Sequence, residues 1–240
     1  MAETLDWSRV TAVLGGAFDP PHRGHRQVVQ GLFLNPGVRE VCVVPSATPP
    51  DKTPRIPAEA RLELTRLNFL EHDSETPIDG PVRVDPRELE RARLSGRPSY
   101  SFDTLQDLKR ETPHLAWVIG SDRLGTLPQW HRFPELLGLC HWLVLERKPA
   151  SQSEAELEPV LRQWQGSGLI RPATGPGSDR RWVLPGGRTF LQVVPTPAQA
   201  VSSTQIRESL ARTGQAPAGS LLSGVSDQLK RMNLYGTTQQ

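Results

Sequence analysis

Short apolar runs along this chain alternate with stretches in which apolar residues recur every three or four positions. Val10 to Leu14 is a continuous apolar run ending at Gly15-Gly16, the pattern of a buried parallel strand. From Arg26 to Leu34, Val28, Val29, Leu32 and Phe33 keep helical spacing. Glu40 to Val44 reads as a second strand, closed by Pro45, and Ala58 to Leu70 as a helix beyond a Pro-rich loop. Val82 to Asp85 predicts a short strand. Ser101 to Arg110 predicts a helix with Ser101 or Asp103 placed to cap it. Further strands are predicted at Leu115 to Ile119, His141 to Leu145 and Phe190 to Val194. Further helices are predicted at Phe133 to Leu139, Ser203 to Ala211 and Val225 to Met232.

This alternation predicts an α/β fold: a Rossmann-like, doubly wound, mostly parallel sheet with helices on both faces. In such sheets ligands bind beyond the carboxyl ends of the strands, so the loops after Leu14, Val44 and Ile119 are the places for chemistry. Residues 1–240 suit a single domain. One stretch breaks the pattern. Residues 148–189 hold six Gly among scattered Pro and Ser and read as an insertion. Within it, one helix is expected at Glu154 to Trp164 and a hairpin including Arg181 to Leu184. A surface excursion is favoured for it over a lid or an oligomer contact.

Composition narrows the class. A net charge of +2, from 28 basic and 26 acidic residues, argues against a nonspecific nucleic-acid or membrane binder while allowing a local basic pocket. No apolar run approaches the roughly 20 residues of a membrane span. Met1 to Val10 carries Glu3 and Asp6 without an apolar core, unlike a signal peptide. Cys42 and Cys140 lie far apart in apolar stretches and read as buried thiols of a reducing, cytoplasmic compartment. No spacing suits a metal site.

The densest chemical signal is Gly15-Gly16-Ala17-Phe18-Asp19-Pro20-Pro21-His22-Arg23-Gly24-His25, between the first strand and the first helix. Glycines there let the backbone approach a ligand, and a helix start directs free amides and its positive dipole end at an anion. His22 and His25, three apart, can face one ligand and donate hydrogen bonds to it. The pattern is neither a Walker loop nor GxGxxG. A second signal, Val201-Ser202-Ser203-Thr204-Gln205-Ile206-Arg207, opens a predicted helix. Its hydroxyls can cap or bind phosphate, and Arg207 can fork onto phosphate one turn in.

Together these motifs resemble the HxGH nucleotidyltransferase superfamily. The segments Pro45 to Lys52, Pro98 to Leu105, Ile119-Gly120-Ser121-Asp122, Leu127 to His131 and Met232-Asn233-Leu234-Tyr235 narrow the resemblance to the bacterial nicotinate-nucleotide adenylyltransferases. The resemblance implies adenylyl transfer from ATP to nicotinate mononucleotide, giving deamido-NAD and pyrophosphate, with Mg2+ carried mainly by the ATP phosphates. It implies that Gly15, Gly16 and Phe18 shape the wall around ATP, that His22 and His25 contact its phosphates, and that Ser203 and Arg207 grip the leaving ones. Catalysis would rest on His22, His25 and Arg207. Gly120 and Asp122 would meet the adenosine ribose. Ser46 and Lys52 would contact substrate from their loop. Tyr100 and Ser101 would receive the nicotinate carboxylate, and Trp130 would stack on the pyridine ring.

Two positions depart from the family. Ser46 stands where Asn is usual and Asp51 where His is usual, which leaves open the nicotinamide form or another phosphorylated substrate. Trp130 also suits a core position, Ser101 a helix cap and Asp103 a first-turn acid. A nucleotide-binding sensor without catalysis is the alternative from another class. A homo-oligomer is left open.

Overall fold

The computed structural model describes residues 5–146, 150–175, 177–196 and 201–236. The opening of the segment read against a signal peptide, the first two residues of the insertion and Pro176 lie outside the described residues. In chain order the elements are β1 (Thr11–Gly16), α1 (Arg23–Leu34), β2 (Glu40–Pro45), α2 (Ala58–Leu70), β3 (Val82–Val84), α3 (Arg87–Ser95), α4 (Ser101–Glu111), β4 (Leu115–Gly120) and α5 (Ser121–Leu124). They continue with β5 (His141–Glu146), α6 (Ala150–Gly166), β6 (Arg171–Pro172), β7 (Arg181–Val183), β8 (Phe190–Pro195), α7 (Ser203–Thr213) and α8 (Ser223–Arg231). Among the described residues no helix is long and apolar enough to cross a membrane.

The chain forms two compact units. One gathers the described residues of Met1–Leu14, Leu32–Glu40 and Tyr100–Ala198; the other gathers those of Gly15–Gly31, Val41–Ser99 and Gln199–Gln240.

In the first unit β1, β4, β5 and β8 run parallel, in that order, and β7 and β6 follow antiparallel at the edge. Every residue of β4 is buried, as a parallel strand covered on both faces requires. The register sets Gly120 opposite Leu145 and Leu145 opposite Val194, so these strands end level.

The described part of the stretch read as an insertion is built into the unit, contrary to the surface excursion expected of it. β7 pairs with β8, and Leu157, Leu161 and Trp164 of α6 are buried on one helix face. Arg180 holds the buried Glu146 at the end of β5 through two bonds of 2.7 and 2.6 Å. An edge strand with unpaired backbone groups takes up a partner, and the hairpin around Arg181 to Leu184 supplies it.

The second unit carries the parallel pair β2–β3, with Val41 opposite Val82. Its helices α2, α7 and α8 share a core of Ile56, Leu64, Ile206, Leu210, Val225 and Leu229.

Two other sequence expectations shift, and one helix is unexpected. Phe133 to Leu139 forms only a 3-10 turn at Glu135–Gly138, because Pro134 blocks an earlier start and β5 follows at once. The cap position of α4 is held by Tyr100, not Ser101, which is the helix's first residue. The helix α3 is absent from the apolar pattern, since only Glu88 and Leu89 are buried and its charged face leaves little apolar period. Cys42 and Cys140 are both buried, and burial pushes the Cys140 thiol up to about 12.

His141 opens β5 edge-on to Trp7 at 5.9 Å and stacked on Phe190 at 5.7 Å. Its Nδ1 accepts the Phe190 N–H at 3.2 Å. Burial, aided by His114 and Arg181, lowers its pKa from 6.5 to about 4. The unfolded chain therefore binds the proton more readily than the folded one. The stability this histidine confers is present above its unfolded pKa and is lost as pH falls from 6.5 toward about 4. Urea titrations at successive pH values should show a loss on the order of 2 kcal/mol across that window, flattened in His141→Gln. An unchanged slope in the variant would remove His141 as the cause.

Candidate active site

β1 ends in Gly15-Gly16, and the chain then turns through Phe18, whose φ is +48°. A Cβ on Gly16 would meet the Phe18 ring at 3.2 Å, so a side chain there presses on an aromatic ring with little room to yield. The buried Phe18 packs edge-on against His25 at 5.2 Å and against Phe69 at 5.7 Å. α1 begins at Arg23, three residues before the apolar period, and so takes His25 into its first turn with His22 just outside. The two imidazoles lie 3.7 Å apart, tilted by 31°. The His22 backbone N–H donates to His25 Nδ1 at 3.2 Å. An Nδ1 that accepts places the proton of the neutral ring on Nε2, which makes His25 a donor on its far side.

The first turn of α1 is tied down from the segment after α2. Arg26, fully buried, donates from Nε to the Thr76 carbonyl at 2.9 Å and from Nη1 to the carbonyls of Asn68 and Glu71. Arg23 pairs with Asp73 at 3.0 Å and with Glu75.

α7 docks on the same loop. Ser202 and Gln205 form a reciprocal cap at its start. Ser203 Oγ donates to the Pro20 carbonyl at 2.9 Å, and Arg207 Nη1 donates to the Asp19 carbonyl at 2.7 Å. Arg207 Nη2 reaches Thr204 Oγ1 at 3.1 Å, while its buried Nε has no partner among the described residues. A cavity of about 520 Å³ lies beside this junction, with Gly24 and Arg23 of α1, Gln205 and Arg212 of α7, and Ser220 in its wall.

Beneath the loop sits Arg61 of α2, 1% exposed. Its Nη1 donates to the carbonyls of Ala17 at 2.7 Å and Ser46 at 2.5 Å, its Nη2 to Ala47 at 2.7 Å, and its Nε to Ile56 at 3.3 Å. Burial lowers its pKa, opposed by the nearby Asp19. Asp19 is itself nearly sealed: Oδ2 accepts the Arg55 N–H at 2.9 Å, and Oδ1 accepts the Tyr235 hydroxyl. Ser46 lies behind the loop, with its Oγ on the Gly16 carbonyl at 3.3 Å. Lys52 is exposed on the Pro-rich loop, which borders a second cavity of about 780 Å³ together with Asp51 and Arg61.

The second unit thus gathers Gly15, Gly16, Phe18, His22, His25, Ser46, Ser203 and Arg207 around one loop. Lys52 belongs to the same unit, on its Pro-rich loop, whereas Gly120, Asp122, Tyr100, Ser101 and Trp130 lie in the first unit. Gly120 ends β4, buried, and Asp122 is exposed in the first turn of α5. Tyr100 stacks on His131 at 4.4 Å just before α4, with Ser101 beside it. Trp130 is half-buried, edge-on to Trp142 at 6.3 Å, and donates from Nε1 to Thr126 Oγ1 at 3.3 Å.

Asp19, Arg61, Arg26 and Tyr235 carry much of this construction, yet sequence reasoning gives none of them a role. Asp19 lies inside the motif and Tyr235 inside the ending segment, so both were within reach of it. Arg61 and Arg26 carry no signal, because an Arg in an amphipathic helix reads as a solvated face.

The sequence profile of the cytidylyltransferase-like family matches residues 13–209. The chain is 39% identical over 204 residues to a probable nicotinate-nucleotide adenylyltransferase of Pectobacterium atrosepticum, covering 83% of this chain and 86% of that one. It is 35% identical over 227 residues to the corresponding protein of Laribacter hongkongensis, covering 93% of each. Among solved structures, the nicotinic acid mononucleotide adenylyltransferase of Plasmodium falciparum complexed with NaAD superposes with a TM-score of 0.67 at 16% identity, over 96% of this chain and 98% of that one. At that identity the likeness speaks for the fold.

Removing the guanidinium beneath the loop strands four carbonyls, those of Ile56 and Ser46 buried and those of Ala17 and Ala47 partly so. Arg61→Met is therefore expected to cost about 3 kcal/mol in urea unfolding, beyond any gain from its apolar stem. A loss below about 1 kcal/mol would show that water replaces the guanidinium without penalty.

Proposed function

The chain belongs to the cytidylyltransferase-like family and, within it, to the nicotinate-nucleotide adenylyltransferases, and from that premise we propose that it joins nicotinate mononucleotide to ATP. The mononucleotide's 5′-phosphate oxygen attacks the α-phosphorus in line. A new O–P bond forms as the bond to the β-phosphate bridging oxygen breaks, giving deamido-NAD and pyrophosphate. The nucleophile is already an anion near neutral pH, so no general base is needed, and rate comes from positioning and charge stabilisation.

The single observation that carries this reading is the imidazole pair, 3.7 Å apart at the start of α1. Arg207 and Ser203 are tethered to the two carbonyls just upstream. His22 and His25 hold the transferring phosphates, with His25 Nε2–H toward the charge that develops on the bridging oxygen. Ser203, Arg207 and the amides opening α7 grip the β- and γ-phosphates. Gly15, Gly16 and Phe18 shape the wall. We assign the ribose to Gly120 and Asp122, the pyridine face to Trp130, its carboxylate to Tyr100 and Ser101, and loop contacts to Ser46 and Lys52.

Magnesium fits as a passenger on ATP. Among the described residues no group of three or more metal-binding side chains stands together. Asp19, the carboxylate in the loop, has both oxygens engaged. The ion, held by phosphates and water, would supply charge neutralisation. We read the chain as one nucleotidyltransferase domain carrying an insertion at 148–189, supported by a family match that runs through both units. We place it in the cytoplasm, in line with the buried thiols.

The nicotinamide form is the second reading, favoured by a Ser46 hydroxyl turned inward onto Gly16. Pyrophosphate release with ATP and each mononucleotide, side by side, decides between them; faster release with nicotinamide mononucleotide reverses the assignment. His25→Ala should lower turnover by about 10²–10³-fold with the circular dichroism spectrum intact. Near-normal turnover would take His25 out of the chemistry. Trp130→Ala should raise KM for nicotinate mononucleotide more than for ATP; an equal rise for both returns Trp130 to the core.

A further inference from the structure

Tyr235 belongs to the last described turn, Leu234–Gly236, and sits at a φ of +57°. Its ring packs against the core shared by α2, α7 and α8. Its hydroxyl donates to Asp19 Oδ1, across 216 positions of sequence. Burial and the adjoining carboxylate both push the phenol's pKa upward, so Tyr235 is a donor at every working pH.

The consequence lies in what Asp19 does not hold. Its other oxygen accepts the Arg55 amide at 2.9 Å. Arg207 binds the Asp19 main-chain carbonyl at 2.7 Å, and its Nη1 stands 4.0 Å from Oδ2, the oxygen that holds the Arg55 amide, at the outer limit of an ion pair. Its Nε is buried and unpartnered among the described residues. A forked guanidinium–carboxylate pair takes both oxygens at once, and here the Arg55 amide on Oδ2 and the Tyr235 hydroxyl on Oδ1 each compete with such a fork. A guanidinium closed onto Asp19 would have its fork turned away from phosphate.

We infer that Tyr235 is a positioning residue: by occupying the carboxylate of Asp19 with a neutral hydroxyl, it keeps Arg207 from closing that ion pair and leaves its fork for the β- and γ-phosphates of ATP. The inference rests on the adenylyl-transfer reading for the identity of the ligand.

Removing only the hydroxyl keeps the ring in its packing. Tyr235→Phe should therefore fold, with a near-native thermal midpoint, and show a KM for ATP raised about tenfold while that for nicotinate mononucleotide stays within about twofold. Adding Asp19→Asn removes the attraction on Arg207. The double variant should recover most of the lost ATP affinity, although it has lost two native side-chain groups. A merely structural link would instead make the double variant as weak as Tyr235→Phe or weaker. A KM for ATP within about twofold of wild type in Tyr235→Phe, or no recovery in the double variant, overturns the inference. Calorimetric Kd values for ATP on all three proteins should follow the same order, independently of turnover. Wild-type protein that binds ATP but releases no pyrophosphate with nicotinate mononucleotide would sink the transfer reading alone.

Discussion

Four main-chain carbonyls converge on the buried guanidinium of Arg61, and the loops beside the histidine pair take their shape from that convergence. A charged group this deep loses its hydration, and the lost water is replaced only if carbonyl oxygens turn toward it. Ala17 lies in the glycine-rich turn, Ser46 and Ala47 at the start of the Pro-rich loop, and Ile56 near its end. Each carbonyl turned inward turns the amide of the following residue the other way, because the peptide is planar. For Ala47 and Thr48 those amides reach Ser99 Oγ, at 3.2 and 3.4 Å. One cation thus sets the orientation of two loops.

The imidazole pair is held in a similar way. Arg26 fixes the segment after α2 against α1, and Arg23 adds a half-buried ion pair to Asp73. Asp19 and Pro20 offer their carbonyls to α7, so the two helix starts bearing His25 and Ser203 share a turn of backbone. Anion binding at a helix start needs amides that are free and stationary. Here the helix starts are held by side chains bonded to the main chain around them. The first unit follows the same logic, where Arg180 and the buried Glu146 fasten the hairpin to the end of β5.

Much of this is legible in the chain. The strands at Val10, Glu40, Leu115, His141 and Phe190 are read from continuous apolar runs, and each appears within a residue or two of its expected bounds. The glycines, both histidines and the Ser203–Arg207 pair are read from spacing, and the fold brings them to one loop. The charged helix α3 is not legible, since it buries little apolar surface. Nor are the inward turn of Ser46 and the burial of Arg61, because a side chain's type does not say which of its neighbours will cover it.

Periodicity and motif spacing are local properties, written in residues a few positions apart. They therefore determined the α/β class, the order of the elements and the placing of glycines and histidines in the opening loop. Which oxygen of Asp19 meets Tyr235, which carbonyl receives Arg207 and where Arg61 finds its partners are contacts between distant segments; two of them span 188 and 216 positions. Only the packing of α2, α7 and the closing turn around one core decided those. A buried polar group must be satisfied by whatever backbone the fold brings within reach.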